Sequence, residues 1–286
     1  MTTIGIIGGS GLYALEGLSD VQEVAVPTPY GPTSDSMITG RLGDTRLVFL
    51  PRHGRGHRLT PAEVPYRANV FAMKSLGVEW LVSVSAVGSM KEHIHPGDLV
   101  VPDQYLDRTH GRDRSFFGDG VVAHVSMADP VCITAAKHFV AQARAQGLDV
   151  HDGGSLVTID GPQFSTRAES FAYRAMGVDI IGMTAMPEAK LAREAEMHYV
   201  TLGLVTDYDC WHTSAEPVTV EAVIAILKAN SARAQKLLEK ALPAIAGLDK
   251  RCACDAALSV AIVTDRSLIA KERIAQLGPI VRKYLA

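Results

Sequence analysis

One pattern recurs along the chain: a short run rich in Ile, Val and Leu stops abruptly at a polar or glycine-bearing segment. Such runs predict strands over 4–7, 47–50, 80–84, 156–159, 180–183 and 200–205. They are too short to be helices and are bounded by turn formers. Longer stretches with helix punctuation lie between them. Pro65 at a first-turn position and Gly77 as a stop predict a helix over 65–76. Asp129-Pro130, as cap and first residue, predict one that ends at Gly147. Thr166 and Glu169 form a capping box for a helix that ends at Gly177. Two more are expected over 187–197 and, capped by Thr219, over 220–242. Strands alternating with helices through short connections predict the α/β class. The expectation is a single domain over 1–286, a twisted, mixed but mostly parallel sheet flanked by helices. In such folds, sites collect at the carboxyl ends of the strands.

Composition removes several classes of function. With 28 Lys and Arg against 31 Asp and Glu, the net charge of −3 gives no basic surface for nucleic acid. There is no apolar run long enough for a membrane span, and the amino terminus has no signal-like charged region, so a cytoplasmic protein is expected. Cys132, Cys210, Cys252 and Cys254 lack CxxC spacing, which argues against zinc, and no metal is expected. Cys252-Ala253-Cys254 reads as two incidental thiols, with a local disulfide as the alternative.

The strand ends carry the chemistry. The first run, IGIIGGSGLY, passes into Gly8, Gly9, Ser10 and Gly11. Glycines there cost conformational entropy, which an anion held on backbone N–H groups offsets. Ala14 stands where a dinucleotide fingerprint needs its third glycine, and the lysine of a P-loop is lacking. A plain turn stays open. After Leu50 comes PRHGRGH, whose Arg52 and His53 suit a phosphate, with a solvated basic loop as the alternative. After Val84 comes SAVGS, where Ser85 and Ala86 offer small donors to an oxyanion or mark a strand-to-turn transition. Phe164 and Met183, beyond later strands, suit a flat ring or a sugar, or else the core. The last run ends in TDYDCW. On extended backbone Asp207 and Asp209 point the same way. Like charges so close raise the pKa of one carboxyl, letting it hold a proton; a strand-end cap or a salt bridge is the structural alternative.

Together and in this order, IGIIGGSGLY, PRHGRGH, SAVGS, TIDGPQFSTRAES, GMTAMPEA and TDYDCW resemble the trimeric purine nucleoside phosphorylase family, above all its 5′-methylthioadenosine-cleaving members, over 4–242. The resemblance implies phosphorolysis of methylthioadenosine to adenine and 5-methylthioribose 1-phosphate. Inorganic phosphate is then a co-substrate and no cofactor is needed. It puts phosphate on Ser10, Arg52, His53, Ser85, Ala86 and Thr184, and the sugar on Met183. Asp207 would protonate the purine N7, Asp209 would accept from the 6-amino group, and Tyr208 belongs to the same substrate-binding segment. Phe164 would cover the base, with Ser165 near its edge. His124, Val220, Val223 and Ile224 would line the 5′-substituent pocket, partly across a subunit boundary of a homotrimer or homohexamer. Relatives acting on guanosine and inosine carry asparagine at the Asp207 position, so two aspartates favour a 6-aminopurine. The rivals are a methylthioinosine phosphorylase, a nucleosidase using water, and a purine-binding protein without catalysis.

Overall fold

The structure, a computed structural model, describes residues 2–9, 12, 15–212, 220–249 and 252–285, with backbone alone for 220–225 and 227–229. The strands are β1 (Thr3–Gly8), β2 (Ser19–Val24), β3 (Met37–Leu42), β4 (Thr45–Pro51), β5 (Trp80–Ser89), β6 (Leu99–Val101), β7 (Gln104–Asp107), β8 (Val150–Asp152), β9 (Ser155–Thr158), β10 (Ile180–Gly182) and β11 (His198–Asp207). The helices are α1 (Tyr66–Ser75), α2 (Ile133–Ala145), α3 (Arg167–Ala175), α4 (Ala185–Glu194), α5 (Val220–Ile245), α6 (Lys271–Leu277) and α7 (Arg282–Leu285).

All eleven strands join one mixed sheet, in the order β2-β3-β4-β1-β5-β10-β9-β7, with β11 pairing β5 and β6, and β6 pairing β8. Pairs β1–β4, β1–β5, β5–β11, β9–β10, β7–β9 and β6–β8 are parallel. Pairs β2–β3, β3–β4, β5–β10 and β6–β11 are antiparallel. Alternation along the central strands explains the two cores. Ile4 and Ile6, Leu47 and Phe49, and Trp80 and Val82 pack with Phe139 of α2 and Leu237 and Leu242 of α5. Ile7, Val48, Leu50 and Leu81 pack the other way, with Val70 and Phe71 of α1 and Leu191 of α4. A sheet buried on both faces produces the continuous apolar runs seen in the sequence.

The expected capping box on Thr166 is present, and Gly77, Gly147 and Gly177 all take positive φ just after their helices. Other expectations need correction. Asp129 does not cap α2, which starts at Ile133 with Cys132 at its N-cap. There the Cys132 N–H bonds to the Tyr199 carbonyl of β11, while the Asp129 carbonyl accepts from Arg193. The expected helix over 187–197 runs instead from Ala185 to Glu194 through a non-helical Met186, and Glu196 turns with φ +52°. β5 and β11 span ten residues each, because they pair from His198–Trp80 to Asp207–Gly88. The Thr219 cap lies outside the described residues.

Candidate active site

The centre of the sheet contains a gap. β1 pairs with β5 only as far as Ser83, and β10 pairs with it only at Gly88 and Ser89. Between them Ser85 and Ala86 turn one strand edge toward a cavity of about 280 Å³. Its lining comes from the carboxyl ends of β1, β4, β5, β9, β10 and β11, as expected for an α/β sheet.

One wall is built on Arg52, which is 2% exposed. Its guanidinium donates to Glu188 (3.0 and 3.2 Å), to the Val84 and Ile7 carbonyls (3.1 Å each), to Ser83 Oγ (2.7 Å) and to Ser85 Oγ (3.1 Å). The fork expected for an anion is thus engaged in joining β1, β5 and α4. What it presents to the cavity is Ser85, whose hydroxyl lies 3.2 Å from that of Thr184. His53 lines the same cavity, with Nδ1 2.9 Å from the Leu59 carbonyl and the ring stacked on His57 at 4.2 Å. Burial and the neighbouring Arg52 charge push its pKa down to about 4, so the ring is neutral at physiological pH. Ser10 lies outside the described residues. Arg55, from the same loop, is bound on the surface to Glu23 and Asp35.

The opposite end holds the two carboxylates. Asp207 ends β11, where Oδ2 accepts from Thr206 Oγ1 and Oδ1 accepts from the Asp209 N–H, both at 2.7 Å. Asp209 is not on extended backbone as expected. It opens a 3-10 turn at φ +53°, and its Oδ2 accepts from Ser170 Oγ at 2.5 Å. Both pKa values are raised, and the cause differs from the expectation. Desolvation by burial dominates for each, opposed by these hydrogen bonds, and the charge of Asp207 adds only a lesser push on Asp209. Gly88 makes room for the pair, since a Cβ there would sit 2.9 Å from Asp207 Oδ1 and 3.0 Å from Ile181.

Met183, Phe164 and Ser165 line the same cavity. Gly161 takes φ +62° and lets the Met183 sulfur approach to where a Cβ would be 2.4 Å away. Phe164 is 49% exposed at the cavity wall. The Ser165 hydroxyl is buried with no partner among the described residues, so it has bonding capacity for a ligand.

Two expectations are not brought together. His124 is exposed and absent from the cavity lining of its own chain. Tyr208 stacks on His212 at 4.5 Å, away from the lining. Val220, Val223 and Ile224 lie at the start of α5, and their side chains are outside the described residues. Conversely, two residues carry no expectation from the sequence. Glu188, 1% exposed, holds Arg52 and accepts from the Tyr199 hydroxyl at 3.0 Å. Arg112 donates to the Met183, Met186 and Asp160 carbonyls and so fastens the loops after β9 and β10. Glu188 lies within GMTAMPEA and had a local signal; Arg112 had none.

The profile of the phosphorylase superfamily matches residues 3–243. The chain belongs to this superfamily. An S-methyl-5′-thioadenosine phosphorylase of Geobacter sulfurreducens is 53% identical over 99% of both chains, and one of Koribacter versatilis 50% identical over 98% of this chain and 96% of that one. Among solved structures, a methylthioadenosine phosphorylase from an Antarctic soil metagenomic library superimposes with a TM-score of 0.94, at 48% identity over 98% of both chains. A Schistosoma mansoni adenosine/methylthioadenosine phosphorylase mutant in complex with methylthioadenosine gives 0.84, at 38% identity over 91% of this chain and 96% of that one. As a member, the chain is a pentosyltransferase of the purine nucleoside phosphorylase type. Its superfamily match ends at residue 243, so the tail that carries Cys252 and Cys254 lies beyond it.

Proposed function

We propose that this phosphorylase cleaves 5′-methylthioadenosine with inorganic phosphate, giving adenine and 5-methylthioribose 1-phosphate. One observation carries the reading: a single cavity is lined by hydroxyl donors backed by Arg52, by the two carboxyls of Asp207 and Asp209, and by Met183 and Phe164. Phosphate would bind Ser85, Thr184, His53 and the Ala86 edge, with Arg52 acting through Ser85. Breaking the glycosidic bond builds cationic character at C1′. The phosphate dianion faces that carbon, stabilises the charge and bonds to C1′ as the C1′–N9 pair leaves with the purine. The leaving base gains negative charge and takes a proton at N7 from Asp207. Asp209, fixed by Ser170, accepts from the 6-amino group, and the Ser165 hydroxyl finds its partner on the base edge.

In the homotrimer or homohexamer that the resemblance implies, the exposed His124 would close a neighbouring subunit's 5′ pocket. Among the described residues no helix is long and apolar enough to cross a membrane, and free cysteines suit the reducing cytoplasm.

The test is base release from methylthioadenosine, followed by absorbance with and without phosphate. Release should require phosphate, and methylthioinosine should be cleaved more slowly, because an oxygen facing Asp209 leaves buried acceptors unpaired. Equal rates without phosphate would make the protein a nucleosidase. Gly88→Ala is a second check. Pushing the Asp207 carboxyl aside should lower kcat by about 10–100-fold with the fold intact by circular dichroism; unchanged kcat would sink the placement of the acid.

A further inference from the structure

The fold gathers four residues that the sequence keeps far apart. Cys132 sits at the start of α2, His198 at the start of β11, and Cys252 and Cys254 in the tail after α5. Their donor atoms all lie within 4.8 Å of one another. Cys132 Sγ is 3.6 Å from Cys252 Sγ and 3.5 Å from His198 Nδ1, and Cys252 Sγ is 3.1 Å from the same nitrogen. A tetrahedral zinc with Zn–S of about 2.3 Å and Zn–N of about 2.0–2.1 Å has edges of about 3.8 Å between sulfurs and about 3.5 Å from sulfur to nitrogen. The separations among Cys132, Cys252 and His198 are close to these edges, and the Cys254 sulfur lies within 4.8 Å of all three. A sulfur–sulfur bond is about 2.05 Å, so 3.6 Å is not a disulfide, and Cys132, Cys252 and Cys254 are free.

The surroundings favour a closed site. Cys132, His198 and Cys254 are 1%, 2% and 3% exposed. The His198 ring is stacked on Trp80 at 4.1 Å, which fixes its plane with Nδ1 toward the sulfurs. Cys132 is the N-cap residue of α2, so its backbone is fixed by the helix start. Sequence spacing argued against zinc because CxxC is lacking. The 3-10 turn from Ala253 instead brings Cys252 and Cys254 to one point, and the other two ligands come from remote segments that no spacing rule can connect.

We propose that Cys132, His198, Cys252 and Cys254 form a structural site for one zinc ion. Binding releases the thiol protons to solvent and places three thiolates and a neutral imidazole on the metal. Four protein ligands leave no open position, as in structural rather than catalytic sites. Asp207 lies at the far end of the same ten-residue strand, about 30 Å away. The ion would pin the tail to the sheet, and the tail in turn holds the segment bearing His124, whose N–H donates to the Ala261 carbonyl at 2.9 Å.

Elemental analysis of the full chain, produced with zinc in the medium and purified without chelator, tests this. About one zinc per chain is expected, with release by a mercurial reagent as thiols are titrated. The Cys252→Ser/Cys254→Ser variant should hold at least about tenfold less. Cobalt exchanged into the native chain should give the strong visible bands of a tetrahedral thiolate complex. Less than a tenth of an equivalent in the native chain, with either reactive thiols or a 252–254 disulfide by peptide mapping, would overturn the proposal, as would full zinc in the double variant.

Discussion

Asp207→Ala lowers kcat for methylthioadenosine phosphorolysis by about 10²–10⁴-fold, the range that a positioned proton donor contributes. The phosphate KM stays close to that of the parent. The hydroxyls of Ser85 and Thr184 are held by Arg52 and by each other, whereas the Asp207 carboxyl bonds to Thr206 and the Asp209 N–H at the other end of the cavity. Asp207→Asn preserves shape and can donate but not transfer a proton, so it should retain more activity than alanine and shift preference toward 6-oxopurines. The pH profile supplies an independent check. Burial raises the carboxyl's pKa, so the protonated, working form persists above the ordinary carboxylate range, and kcat falls as pH rises through the raised value. Steady-state kinetics at saturating phosphate decide the matter; an alanine variant with parental kcat rules out the proton-donor role.

Arg52→Ala acts chiefly on stability. It strips the ion-pair partner from Glu188, a carboxylate 1% exposed that also accepts from the Tyr199 hydroxyl. Breaking a buried pair on one side costs about 3–5 kcal/mol. For a chain of this size that is a fall in Tm on the order of 10 °C. Removing both charges, as in Arg52→Met/Glu188→Met, should recover most of the melting temperature, because apolar replacement of a whole buried pair is nearly neutral. Activity should not return, since Ser85 has lost its anchor. Thermal melts of the single and double variants measure this. An alanine variant melting with the parent would show that Arg52 is not the hub its six hydrogen bonds describe.

Much of this was legible because strands buried on both faces announce themselves. The runs at 4–7, 47–50 and 80–84 became β1, β4 and β5, and the segments after them became the cavity wall. Strands of three residues such as β6 and β8 are too short to show a period, and β2 is exposed along most of its length, so neither kind stands out. The Asp207–Asp209 pair was found for partly the wrong reason: the two acids meet through a left-handed turn at Asp209, and burial rather than mutual repulsion lifts their pKa values. Arg52 was expected to offer its fork to phosphate; it lines the cavity, but its fork bonds to Glu188, 136 positions away. Residue type told what these groups can bond; only the fold told what they do bond.

The Arg52–Glu188 pair has a consequence for how a phosphate would work in this cavity. Each charge cancels the other inside the wall, and His53 stays neutral. An incoming dianion would be held mainly by hydroxyl and backbone dipoles rather than by a bare cation. Its negative charge would then remain unspent in the ground state and be drawn on when the sugar carbon turns positive. A wall of free arginines would grip the anion harder at rest and blunt it at the moment of bond breaking. Moderate affinity for phosphate would here be a condition of speed, because only attraction that grows toward the transition state accelerates the reaction.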